Sequence, residues 1–432
     1  MLAGDLRAPA TNVLRGNDSG RYTVPSRSIY PHQWNWDSAL AALGWAELDP
    51  ARAWTELETL AGARDANGML PHIAFQRRLR VFSVRYVPGA RWWGRRVSAD
   101  GRRISGITQP PVAATCLRLL FEEHPDERRA RGLVGPLLAW HRFLLTERDP
   151  HGTGEPVLIH PWESGRDNAV DWDAPLWRVL PEVTVLHRRD TDSVDAAERP
   201  SDEHYRRFLT LVRRGTRARW DQAELARNGA FRVLDPGFSA ILSRACHDLA
   251  AVSEALGESR IADESLRASE RVSGALQARA DGDGLIRPLD VTDGSTQPKT
   301  SVGSALALLA PGLHDKEVAA ARATVLHGPL ASRYGVRSLD VGHRERSARN
   351  YWRGPVWANV TWLTARGLDL HGERRAAQAL RERMMLAIEG DGMREYFAPE
   401  SGRGLGARDF TWTAALCLRE LGAAAGARAV AA

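Results

Sequence analysis

Apolar residues recur along the chain at the three- and four-residue spacing of amphipathic helices. Leu40, Leu43 and Leu48 mark a first helix that is expected to run to Pro50, and Trp54, Leu57 and Leu60 mark a second that stops before Asn67-Gly68. The pattern returns over residues 111–123, 132–147, 237–256, 259–278, 301–310, 315–325, 355–371, 374–389 and 411–425, which brings the count to about a dozen. Alternating strand patterns are scarce. The class read from periodicity is therefore all-α.

Helices of ordinary length fill only part of 432 residues. The rest falls in irregular segments at 68–110, 150–200, 281–300, 327–354 and 390–410, and these carry most of the aromatic and acidic clusters. Long loops in a compact domain usually bind or cover something. A single domain over 1–432, with lid loops at about 68–110 and 150–200, is the expected organisation.

Composition narrows the function by exclusion. No run approaches the ~18–20 apolar residues of a membrane span, and Met1–Gly20 has no apolar signal core, so a cytoplasmic protein is expected. Cys116, Cys246 and Cys417 are widely spaced within apolar helical stretches and read as reduced core residues. The net charge of +6 comes almost wholly from Arg scattered among acids, which argues against a nucleic-acid face. It still suits the steering of a small anion toward a cleft. There is no GxSxG elbow, P-loop, GxGxxG turn or HExxH helix, and the 13 His are dispersed. No metal or cofactor is expected.

The chemistry concentrates where tryptophan meets acid. The chain has 15 Trp against 7 Tyr, and the segments YPHQWNWD, HPWESGRDNAVDWD, NYWRGPVW and REYFAPESGRG set these rings beside carboxylates and amides. A packed core has no use for unpaired carboxylates. A pyranose does, because its C–H face packs on rings while its hydroxyl rim needs fixed donors and acceptors. Cleaving a glycosidic bond further requires two carboxyl groups flanking the anomeric carbon. Asp167 and Glu395 are the best placed loop acids for that work, although either one alone reads equally well as a surface acid.

YPHQWNWDSAL, GMLPHI, SGITQPPV, WESGRDNAVDWD, RYGVRSLD, YWRGPVWANV and EYFAPESGRG with FTWTAAL occur in the order found in glycoside hydrolase family 63. With VLRGND, YTVP and YPHQWNWD near the start, the chain most resembles the bacterial glucosylglycerate hydrolases of that family. The resemblance spans roughly residues 12–420. It implies an (α/α)6 barrel, with long loops capping the active-site end. It also implies inverting hydrolysis, with Asp167 as general acid and Glu395 as general base. The matched motifs place Tyr30, Trp34, Trp36, Asp37, His72, Gln109, Gly165, Arg166, Tyr351, Trp352, Gly354 and Trp357 around the sugar. Arg199 and Tyr205, with Tyr86 as a weaker match, correspond to residues that hold the glycerate.

The expected reaction is hydrolysis of 2-O-(α-D-glucopyranosyl)-D-glycerate, with mannosylglycerate as a second substrate. The expected partner is thus a small anionic sugar, with no nucleic acid and no membrane; a homo-oligomer is left open. Other readings are a trehalase or oligosaccharide glucosidase of the same clan, a sugar isomerase, or an inactive sugar-binding barrel. His32, Ala169 and the basic stretch RRLRVFSVRYVPGARWW depart from the family pattern near the pocket and leave the acceptor open.

Overall fold

The computed structural model describes residues 6–76, 87–184, 186 and 188–431. Along it run α1 (Arg7–Gly16), α2 (Asn35–Ala46), α3 (Pro50–Ala61), α4 (Ala113–Glu123) and α5 (Glu127–Thr146). Three smaller helices follow in a long excursion, α6 (Asp173–Trp177), α7 (Asp202–Arg217) and α8 (Gln222–Asn228). Then come α9 (Pro236–Ala255), α10 (Ser259–Ala278), α11 (Val302–Leu306), α12 (Asp315–Leu326), α13 (Ala358–Leu370), α14 (Arg374–Asp391) and α15 (Thr411–Ala431).

The excursion aside, the helices alternate between an outer and an inner position. In the inner ring α2 packs on α4, α4 on α9, α9 on α11, α11 on α13, α13 on α15, and α15 back on α2. Helices α1, α3, α5, α10, α12 and α14 lie outside them, so the fold is an (α/α)6 barrel. Burial follows the same division. Every residue of α2 is buried, whereas α10 buries only a stripe of Ala262, Ser265, Ser269, Val272, Ser273 and Leu276. An inner helix faces protein all round and an outer one on a single side.

Local signals set the helix starts. Asp49, Asp126 and Asp235 each accept a hydrogen bond from the first turn of the helix they precede, and Pro50 and Pro236 follow two of these caps. Pro50 therefore opens α3 and does not end the helix before it, which stops at Ala46. The expected helix at 301–310 is split into α11 and a 3-10 turn at Ala307–Leu309. Two longer helices escape the periodicity, α1 and the highly charged α7, whose His204, Phe208, Leu211, Val212 and Gly215 share one buried face.

The few strands are short and sit in loops. Residues Gln33–Trp34, Ile73–Phe75 and Arg103–Ile104 form an antiparallel sheet with Trp34 opposite Ile73 and Ala74 opposite Ile104. Tyr396–Phe397 pairs with Gly404–Leu405. Among the described residues no helix is long and apolar enough to cross a membrane, and all three cysteines are buried and unpaired.

The ring closes at the α2–α15 seam, where a Cβ on Gly44 would stand 2.5 Å from Ala415 Cα. Gly44→Ala must push the two helices apart and should lower unfolding free energy by about 1–3 kcal/mol. Denaturant unfolding checks this; an unchanged midpoint would mean that the seam yields freely.

Candidate active site

The N-terminal ends of the inner helices converge on one cavity of about 240 Å³. Trp36 and Asp37 stand in the first turn of α2, Gln109 precedes α4, Trp352 precedes α13, and Phe410 and Trp412 open α15. Glu395 enters from the strand before α15, and Asp167 from the excursion between α5 and α9. Tyr30, Trp34, His72, Gly165, Arg199, Tyr205 and Tyr351 complete the expected residues that line it.

The aromatic walls are fixed by one another. Trp34 meets Tyr30 edge-on at 5.2 Å, and Trp36 meets Trp412 edge-on at 5.6 Å. Trp352 lies flat against Trp357 at 3.9 Å, and Trp357 in turn stacks on Tyr396 at 4.4 Å. Its indole N–H donates to the Tyr351 carbonyl at 3.2 Å. Trp357 itself does not line the cavity; it holds Trp352 and Tyr351 in place from behind. Gly354 also stands off the cavity, at φ +143° with room for no side chain against the Ser347 carbonyl.

Five carboxyl groups line the space: Asp37, Asp167, Asp190, Asp192 and Glu395. Burial raises Asp37 well above the usual carboxylate range, and the charges of Glu395 and Asp167 push the same way. Burial also lifts Asp167 to about 7, against the pull of Arg199 and with the repulsion of Glu395. Glu395 is held differently. Its Oε1 accepts from Tyr30 at 2.8 Å and Tyr351 at 3.2 Å, its Oε2 from the Ala407 amide at 2.8 Å, and Arg199 Nη1 lies 3.1 Å from both oxygens. Tyr30 and Tyr351 are themselves raised well above their ordinary range by burial and remain neutral donors.

Glycine clears space for these groups. Gly165, at φ +69°, ends the short helical turn before Asp167, and a Cβ there would stand 2.5 Å from the Trp36 ring. A Cβ on Gly406, at φ +65°, would stand 2.4 Å from Glu395 Oε2. Asn168 ties the two sides of the site together, donating to Asn350 at 2.6 Å and accepting the Trp352 amide at 3.0 Å. Gln109 accepts the amides of Asn35 and Trp36 and so caps α2 with its carbonyl, leaving its NH₂ for a ligand. His72 stacks on Trp162 at 5.9 Å and is kept neutral by burial.

On the side of Asp167 lies a charged cluster. Arg199, 2% exposed, reaches Asp190 as well as Glu395 and lies over the Tyr351 ring at 4.5 Å. Tyr205 donates to Asp190 at 3.1 Å, and Arg188 pairs with Asp190 at 2.6 Å. Asp190, Gly406 and the Ala407 amide were not legible as site elements in the sequence. Asp190 meets Arg199 and Tyr205 across 9 and 15 residues and the Ala407 amide meets Glu395 across 12, through loops without a periodic pattern, and only the Gly-rich run near Glu395 hints at one of them. Trp162 and Trp412 stood out in the sequence as ring-plus-acid clusters without being assigned to the sugar. Tyr86 lies outside the described residues.

Arg166 is a correction. It does not line the cavity but points away from it, pairing with Asp171 at 2.9 Å and Asp235 at 2.6 Å, 1% exposed, with its guanidinium over Trp172. A cation flanked by two buried acids is held there, off the cavity. Because Asp235 also caps α9, Arg166 fastens the Asp167 loop to the barrel. Arg166→Met leaves two buried carboxylates without their cation and should cost about 3–5 kcal/mol of stability. Thermal and denaturant unfolding measure it; a variant as stable as the parent that had lost only sugar affinity would return Arg166 to the binding site.

Comparison with known proteins places the chain in a family. The family model of the mannosylglycerate hydrolase MGH1-like glycoside hydrolase domain matches residues 30–413. A mannosylglycerate hydrolase of Thermus thermophilus is 40% identical over 417 residues, spanning 95% of this chain and 99% of that protein. Glucosylglycerate hydrolase of Mycolicibacterium hassiacum is 34% identical over 441 residues, spanning 96% and 98%. The crystal structure of a GH63 mannosylglycerate hydrolase from another strain of Thermus thermophilus, in complex with Tris and D-glycerate, superimposes with a TM-score of 0.89 at 39% identity, covering 96% of this chain and 99% of that one. This chain therefore belongs to glycoside hydrolase family 63, with the mannosylglycerate hydrolase MGH1-like enzymes, and is a glycoside hydrolase.

Proposed function

We propose that the enzyme hydrolyses the α-glycosidic bond of 2-O-glycosyl-D-glycerates with inversion, accepting both the mannosyl and the glucosyl compound. The observation that carries this reading is the buried Arg199 guanidinium, which lines the cavity together with Arg27 and Arg189 among rings and carboxyl groups. Unlike Arg166, Arg199 lines the cavity, where a substrate carboxylate can be gripped by its guanidinium in parallel hydrogen bonds. Relatives named for mannosylglycerate and for glucosylglycerate hydrolysis support the same substrate class. The two sugars differ only in configuration at C2. The higher identity to a mannosylglycerate hydrolase shifts the weight from the glucosyl compound alone to both.

In this reading Asp167 is the general acid. Asp37 is also raised, but it sits in the first turn of α2 among sugar-facing rings and forms no ion pair among the described residues, so it binds hydroxyls. Asp167 is lifted by burial to about 7, so it can carry the proton that a general acid must give. Its carboxyl proton passes to the glycosidic oxygen as the C1–O bond breaks, and glycerate departs with its hydroxyl restored. A water attacks C1 from the opposite face and gives a proton to Glu395. Loss of that proton to solvent and reprotonation of Asp167 return the site to its starting state. Tyr205 and Arg199 hold the glycerate, and Tyr86 is proposed to join them.

Glycerate release from mannosylglycerate and glucosylglycerate, and glucose release from trehalose, test the substrate class with the purified enzyme; turnover of trehalose alone would overturn it. Asp167→Asn and Glu395→Gln should each lower kcat by roughly 10²- to 10⁴-fold while binding of the free sugar persists in calorimetry. Because the acid must be protonated, kcat/KM should fall by about tenfold per unit as pH rises past the Asp167 value of about 7. A profile that stays flat through the alkaline range would remove Asp167 from that role.

A further inference from the structure

The base proposed above is fully engaged by the protein's own groups. A carboxylate offers about four lone-pair sites. Glu395 Oε1 takes the hydroxyls of Tyr30 and Tyr351, Oε2 takes the Ala407 amide, and Arg199 Nη1 bridges both oxygens at 3.1 Å. A water that is to lose its proton to Glu395 must first find a free site on it. The two phenols are anchored by their own packing, and the amide belongs to a backbone that is itself paired, with the Glu395 amide donating to Ala407 O at 2.9 Å. Arg199 differs from them. It is a long side chain with a second carboxylate partner, Asp190, and it faces the cavity where the leaving group enters.

We propose that Arg199 masks the catalytic base until an anionic leaving group draws it away. The substrate carboxylate takes over the Nη1 hydrogen bonds, Oε2 is left with the Ala407 amide alone, and its open site receives the attacking water. Binding of the correct acceptor then switches on the base, and a glycoside with a neutral leaving group meets a base that is still engaged. The exchange neither makes nor breaks a covalent bond; one ion pair replaces another. This inference rests on the glycerate reading above, but it assigns Arg199 a second task beyond holding that group.

A wild-type measurement separates the two. An α-glycosyl fluoride of the same sugar has a small leaving group without a carboxylate and leaves the acceptor space empty. Its hydrolysis should be slow alone and should rise in kcat by about tenfold with added D-glycerate, the size expected when one charge-assisted hydrogen bond to the base is given up. Glycerol at the same concentration should have no such effect. Arg199→Met, checked for folding by its melting temperature, should hydrolyse the fluoride faster than the wild type without glycerate, lose the glycerate response, and show a raised KM for the glycosyl glycerate. Normal turnover of glycosyl glycerate together with no stimulation, inhibition, or equal stimulation by glycerol would overturn the masking while leaving the substrate assignment intact. Absence of turnover on glycosyl glycerate would overturn both. A variant slower than wild type on both substrates, with its KM unchanged, would reduce Arg199 to a support of Glu395.

Discussion

Removing carboxyl groups from water is the constraint on which the rest of the site depends. Asp37 and Asp167 share a cavity of about 240 Å³ with Glu395, whose charge repels theirs, and burial disfavours charge on both. The protein resolves this by unequal treatment. Glu395 receives hydrogen bonds from a guanidinium, two phenols and a backbone amide, while Asp167 is left to desolvation and the neighbouring charge and keeps its proton to about 7. The proposed acid and base are thus two chemically similar groups that differ in their hydrogen-bond partners.

The barrel supplies the geometry for that treatment. Strict alternation of outer and inner helices brings inner N-termini to one end, where the partial positive charge of the helix favours acids such as Asp37. Loops on that end can then be long without loosening the site, because they are clamped to the ring. Arg166 joins the Asp167 loop to the cap of α9, and Asn168 joins it to the loop carrying Trp352. Gly165 and Gly406 admit Trp36 and Glu395 to positions that a Cβ would block.

Much of this is legible in the sequence because the features are local. Helix periodicity gives most of the two rings, and rings beside acids in short motifs point to both members of the proposed catalytic pair. What escapes depends on distant partners. Arg166 stands next to Asp167 in the chain and looks like a sugar ligand, yet its side chain turns toward Asp235 nearly seventy residues on. Trp357 and Gly354 share a motif with Tyr351 and Trp352 but support them from behind. Asp190 sits in a plain run of Arg and Asp, and only folding brings it to Arg199 and Tyr205. α7 is missed because its buried face includes His204 and Gly215, and the rest of the helix is rich in charged residues.

A protonated Asp167 and an ionised Glu395, acting from opposite faces of the sugar in a single displacement, are the centre of the proposed chemistry. Proton NMR of the first sugar released from an α-linked glycosyl glycerate, recorded before mutarotation, tests it most directly. The β anomer is predicted as the initial product, with the α form growing in later. Initial release of the α anomer would contradict single displacement and make Glu395 a nucleophile.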